Sequence, residues 1–164
     1  MQIVLDSSTL ILLAKIEILD LFLDGYPGNV LISQTVKQER LAKHSVDAQL
    51  IQSRINEGKI KVRHVRDTKL CSKMEKDFKI NLGEAETIIM GEQFKAIVAT
   101  DDWNAIQACK VLKLPSTSTL ALLIRLKVKK IITREDAIVK LKALAEYGRY
   151  YEQIIRTVKK RLEE

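Results

Sequence analysis

The chain has 164 residues, 46% hydrophobic and 30% charged, which suits one globular domain that buries its core without covalent staples. Only two cysteines (Cys71, Cys109) and two histidines (His44, His64) are present, too few and too scattered for an ordinary zinc site or a disulfide framework. The net charge of +7 points to a polyanionic partner, and Lys15 and Glu17 interrupt the early apolar segment, so the expectation is a cytoplasmic chain with no signal peptide and no membrane span.

Short Val/Ile/Leu runs alternate with helical patterns from end to end. Strands are expected over residues 2–5, 29–32, 59–63 and 96–99, with a short fifth near Pro115. Helices are expected over 9–15, 18–23, 34–42, 45–57, 68–79, 83–94, 103–112, 118–126, 134–144 and 148–162. Strands that are apolar on both faces and separated by helices indicate a parallel sheet covered on each side. The predicted fold is therefore a three-layer α/β/α domain with a central parallel sheet of four or five strands. It spans residues 1–164, with a core of about 1–125 and a C-terminal helical extension of about 126–164.

Local signals support several of these helices. Asn81 with Glu84 three positions on fits a capping box, and Thr133 precedes Glu135 and Asp136 in a first turn. Lys159, Lys160 and Arg161 favour the end of the last helix. From Leu123 onward there are 12 Lys and Arg against 6 Asp and Glu, so +6 of the charge lies in the last quarter. A basic tail beside an acidic site suits a substrate rich in phosphates, although any single lysine can equally belong to a solvated helix face. Abundant Lys, Glu and Ile with sparse Asn, Gln and Pro lean towards a thermophile's composition.

Four acidic clusters carry the chemistry. Asp6 ends the first apolar run, Glu39 follows the second, Glu84 and Glu86 open a helix, and Asp101 and Asp102 end the run from Ala96 to Thr100. Ligands of open parallel sheets bind beyond the carboxyl ends of the strands, near the point where strand order reverses. If the strands before Asp6 and Asp101 are neighbours, all four clusters converge on one crevice. Carboxylates so gathered repel one another unless a cation lies between them. A hard divalent ion on oxygen ligands, with phosphodiester chemistry, is the economical answer. Taken alone, Asp6 could simply cap the helix that follows it.

Within the doublets, Glu84 has the capping duty, whereas Glu86 shares a helix face with Leu82 and Ile89. That favours Glu86 as the ligand and leaves Glu84 open. Asp101 and Asp102 point in different directions, so one can ligate while the other orients water or a second ion. Ser8 and Thr100 are candidates to support the site by hydrogen bonding, or to cap helices. Trp103 offers a face for base stacking, with packing as the first large residue of its helix favoured. Arg149 and Tyr150, with Tyr151 and Arg156 nearby, form a second candidate nucleic-acid contact, again with interhelix packing favoured.

In order and spacing, Asp6 with Ser8, the helical Glu39, the stretch from Leu82 to Glu86, and Thr100-Asp101-Asp102 resemble the motifs of PIN-domain nucleases. This resemblance covers roughly the first 125 residues. The segment from Ala145 through Gly148 to Tyr151 is similar to the C-terminal extension of a prokaryotic, VapC-toxin-like branch. Many relatives carry Asp in the third cluster where this chain has Glu84 and Glu86. The resemblance implies that Asp6, Glu39, Glu86 and Asp102 are catalytic and bind one or two Mg²⁺ or Mn²⁺ ions, with Ser8 in support. It further implies endonucleolytic cleavage of single-stranded RNA, a toxin's role in a toxin–antitoxin pair, a small antitoxin protein as partner, and a homodimer. Two rivals stand beside it. One is a non-catalytic or weakly catalytic RNA-processing assembly protein with a PIN fold. The other is a phosphoacceptor, disfavoured because no lysine immediately precedes Pro115.

Overall fold

The computed structural model describes all of residues 1–164. In chain order, β1 (Ile3–Leu5) leads to α1 (Ser7–Lys15) and α2 (Leu19–Gly25), and β2 (Val30–Ser33) to α3 (Gln34–Leu41) and α4 (Val46–Asn56). Next come β3 (Lys61–Arg63), α5 (Thr68–Phe78), α6 (Leu82–Gln93), β4 (Ile97–Ala99) and α7 (Trp103–Val111). The chain closes with β5 (Ser116–Thr117), α8 (Thr119–Val128), α9 (Arg134–Tyr147) and α10 (Glu152–Glu163).

All strand pairs are parallel, in the order β3-β2-β1-β4-β5. Ile3 pairs with Val30 and Ile97, Val4 with Leu31 and Val98, and Leu5 with Ala99. Alternate residues of these strands feed two separate cores, as a pleated sheet covered on both faces requires. Ile3, Leu5, Val30, Ile32 and Ala99 join residues of α1, α2, α8, α9 and α10 on one side. Val4, Leu31 and Val98 join α5, α6 and α7 on the other. The architecture is the expected three-layer α/β/α sandwich, with five strands. Ala137, Leu141, Leu144, Val158 and Leu162 lie in the first core, so α9 and α10 are packed into the body of the fold. The edge strand β3 is short and ends on an exposed Arg63, a charged edge that discourages further pairing. No helix is long and apolar enough to cross a membrane.

Two element ends differ from expectation in ways that matter for the site. The first helix starts at Ser7 rather than residue 9, because Asp6 Oδ1 accepts the Thr9 N–H at 2.8 Å and caps it. The last helix starts at Glu152 rather than residue 148. Gly148 instead closes α9, donating to the Leu144 carbonyl at 2.7 Å, and a Cβ on Gly148 would lie 2.2 Å from Tyr150 Cε2. The turn thus uses glycine's missing side chain to seat the Tyr150 ring.

α6 lies against the sheet through Gly91, where an added Cβ would stand 2.4 Å from Val98 Cγ2 in β4. Gly91→Ala should therefore destabilise the protein by about 1–3 kcal/mol, although alanine is the better helix former. Denaturant unfolding of the two proteins checks this.

Candidate active site: an acidic crevice at the sheet switch point

The chain adds β2 and β3 on one side of β1, then crosses to add β4 and β5 on the other. After β1 it turns into α1 on one face of the sheet, and after β4 into α7 on the opposite face. In open parallel sheets ligands bind between such diverging connections, beyond the carboxyl ends of the strands, beside the residues that leave the two strands. These residues are Asp6 and the Thr100-Asp101-Asp102 run.

Asp6 is 1% exposed. Its N–H donates to the Ala99 carbonyl at 3.1 Å, locking it to β4, and Oδ1 serves the cap of α1 while Oδ2 is buried without a partner. Burial pushes its carboxyl up to about 6. The Thr9 N–H and the nearby Thr100 hydroxyl oppose the rise, and the Asp101 charge adds to it. Asp101 is held at 3.0 Å by the Thr119 N–H at the start of α8, and also by the Thr119 hydroxyl. Burial raises its pKa too, against the hydrogen bonds from Thr119. Asp102 turns the other way. Its Oδ2 accepts the Ala105 N–H at 2.9 Å to cap α7, and its own N–H donates to Thr100 Oγ1 at 3.2 Å.

The remaining acids come from α3 and α6. Glu84 forms the expected capping box, its N–H donating to Asn81 Oδ1 at 2.8 Å and its Oε2 accepting the Asn81 N–H at 2.9 Å. Burial pushes its carboxyl up to about 7, the Asn81 hydrogen bond opposes this, and the charges of Asp102, Asp6 and Glu39 reinforce it. Glu39 reaches the first turn of α6, both carboxylate oxygens lying 3.4 Å from where a Gly83 Cβ would stand. Glu84 thus shares one electrostatic neighbourhood with Asp6, Glu39 and Asp102.

Glu86 has a different set of neighbours. It is 6% exposed, Oε2 accepts the Thr35 hydroxyl at 2.8 Å, and Oε1 is buried without a partner. Its charge also adds to the upward shift that burial gives the Cys71 thiol on α5. Two positions apart on a helix, side chains diverge by about 200°, so Glu84 and Glu86 cannot serve one point equally. The structure turns Glu84 towards the other acids, where the sequence favoured Glu86.

None of the six carboxylates forms an ion pair: every lysine and arginine in a salt bridge is committed elsewhere. No three His, Cys, Asp or Glu side chains stand close enough to form a ready-made metal-binding group. The donor chemistry nonetheless fits a hard divalent cation. The acids offer oxygen only, they lack counter-cations, and Asp6 Oδ2 and Glu86 Oε1 have no hydrogen-bond donor.

The supporting residues are redistributed. Ser8 is exposed and makes no hydrogen bond, whereas the Ser7 hydroxyl beside it is buried and unpaired. Thr100 sits between Asp6 and Asp102. Trp103 is 69% exposed, so the packing role favoured from sequence does not hold. Arg149 is exposed, while Tyr150 is partly buried against the first core with its phenol beside Asp101. Sequence reasoning missed Thr9, Thr35 and Thr119. Only Thr119 left a signal, a Ser-Thr pair following the strand that neighbours β4. Thr119→Val should lower activity by about 10–100-fold with little change in fold, as expected when the partner orienting a site carboxylate is lost; kcat and circular dichroism of the variant check this.

An all-parallel five-stranded sheet covered by helices on both faces, with carboxylates free of ion pairs at its switch point, defines a three-layer α/β/α protein. The chain belongs to the PIN domain family: the family described as DUF3368, PIN domain, matches it over residues 2–164. No curated protein and no solved structure matches it. The match includes α9 and α10, beyond the first 125 residues that carry the sequence motifs. PIN domains have a nuclease-type fold.

Proposed function

We propose that the protein is a Mg²⁺- or Mn²⁺-dependent endoribonuclease that cleaves phosphodiester bonds of single-stranded RNA. The observation that supports this reading is electrostatic: Glu84 feels the charges of Asp102, Asp6 and Glu39, Asp6 feels that of Asp101, and none of the five has a basic partner. Asp6, Glu39, Glu84 and Asp102 would hold the ion, with Asp101 and Glu86 as further carboxylates at its margins. When bound, the ion would lower the pKa of a coordinated water and offset charge on the phosphorane-like transition state. The protein's own groups fix the geometry. Thr119 holds Asp101, Thr35 holds Glu86, Asn81 holds Glu84, and the helix caps at Asp6 and Asp102 set the directions of those carboxylates. The basic last quarter of the chain supplies phosphate affinity away from the acids.

A toxin of a toxin–antitoxin pair, acting in the cytoplasm as a homodimer and silenced by a small protein that covers the crevice, fits the same site. A second reading, an RNA-binding assembly protein with little turnover, is favoured by one observation: the acids do not stand as a closed ligand group. Incubation of the protein with end-labelled single-stranded RNA, with and without Mn²⁺, separates the two. The first reading expects internal cleavage that needs the metal and disappears in Asp6→Asn. Binding without cleavage in any divalent metal would support the second.

A further inference from the structure

Trp103 is the only tryptophan of the chain, and it stands 69% exposed. Aromatic side chains of this size contribute most when buried, so one left in solvent at a site calls for a physical explanation. Packing does not provide it. The inward side of α7 is formed by Ala105, Ala108 and Cys109, and no other aromatic ring stacks on the indole. The position is specific: Trp103 is the first residue of α7, directly after Asp102, whose carboxylate caps that helix at the crevice. Consecutive Cα atoms are about 3.8 Å apart, so the indole is rooted beside Asp102 at the edge of the acidic group. Two turns further along α7, the Lys110 ammonium lies 5.9 Å from the ring centroid. Asn104 donates to the Lys79 carbonyl at 3.2 Å and brings the end of α5, with Lys79, to the same edge. Neither Lys79 nor Lys110 forms an ion pair.

We propose that Trp103 is the base-stacking platform of this site. It receives an unpaired nucleobase of single-stranded RNA beside the phosphate that enters the crevice, with Lys110 and Lys79 taking flanking phosphates. This rests on the nuclease reading of the crevice and deepens it by assigning the residue that makes it select single strands. Both faces of a base inside a duplex are covered by its neighbours, so only an unpaired base offers a π-face to the indole. The lysines supply the non-specific attraction that holds the backbone in register.

Having one tryptophan makes the test direct. With Asp6→Asn protein in Mg²⁺ to prevent cleavage, a single-stranded oligoribonucleotide should quench the indole fluorescence saturably. The same strand annealed to its complement, or carrying abasic residues, should not. By anisotropy of labelled RNA, adding Trp103→Ala should weaken single-strand binding about tenfold or more, while Trp103→Phe retains most of it. In the otherwise wild-type protein, Trp103→Ala should raise KM for single strands more than it lowers kcat. Equal quenching by single-stranded DNA would keep the stacking role and widen the ligand to any unpaired strand. RNA binding with silent fluorescence, or an unchanged Kd in Trp103→Ala, would overturn the proposal while leaving the nuclease reading intact. Quenching without cleavage in any metal by wild-type protein would remove the nuclease reading and leave the platform standing.

Discussion

Asp6→Asn should reduce RNA cleavage on the order of a hundred- to a thousandfold and yet make the metal-free protein more stable at pH 7.5. The loss of activity follows from removing one anionic ligand from a site whose ion contributes several kcal/mol to the transition state. The gain in stability follows from burial. Asp6 is 1% exposed, no cation pairs with it, Oδ2 lacks a donor, and its carboxyl is pushed up to about 6 from an ordinary value of 3.8. A folded-state pKa above the unfolded one means that the native state holds the proton longer. Between about pH 4 and pH 6 the unfolded chain therefore ionises first, and stability falls as pH rises through that window. Above it the penalty is complete, roughly 3 kcal/mol for a shift of about two units. Asparagine keeps the cap on Thr9 without carrying the charge. Denaturant unfolding of both proteins in chelator should show nearly equal stabilities near pH 4 and a clear advantage for Asp6→Asn at pH 7.5. Equal stabilities at both pH values would show that the Asp6 charge is compensated after all.

The second large effect separates the two glutamates of α6. Glu84→Gln should lower cleavage by about a hundredfold or more, because its carboxylate shares the field of Asp6, Glu39 and Asp102. Burial, reinforced by the neighbouring acids, raises Glu84 to about 7, and the neutral amide escapes that penalty, so the metal-free variant should lose less stability than wild type as pH rises from about 5 to about 7. Glu86→Gln should cost about tenfold, since the amide oxygen can still accept the Thr35 hydroxyl and hold α3 against α6. Single-turnover rates at saturating Mn²⁺ measure both. A larger loss in Glu86→Gln than in Glu84→Gln would reverse the assignment and restore the ligand that its apolar helix face suggested.

Much of the fold was legible because its signals are local. Apolar runs such as Ile3–Leu5 and Ile97–Ala99 read as buried parallel strands without knowledge of their partners, and acids at their ends follow from the same pattern. The three layers and the crevice then depend on strand order, which placed β1 beside β4 as the acidic positions required. The missed features depend on contacts between distant elements. Glu86 looked like the better ligand from its helix face, and only Thr35, on another helix, explains its burial. Ser8 and Ser7 differ by one position, and the backbone turn set by the Asp6 cap decides which hydroxyl is buried. Trp103 read as a packing residue because large apolar groups usually are, while the small inward residues of α7 leave it no core to enter. The tuck of Tyr150 against Asp101 required the bend at Gly148, which helical periodicity continued straight through.

Calorimetric titration of chelator-treated protein with Mn²⁺ at pH 7.5, beside Asp6→Asn and Glu84→Gln, tests the cation site itself. Saturable binding by the wild-type chain, and strong weakening in both variants, is the expected result. Absence of saturable binding, or equal affinity in all three proteins, would mean that the crevice is not a metal centre and that its acids serve another purpose.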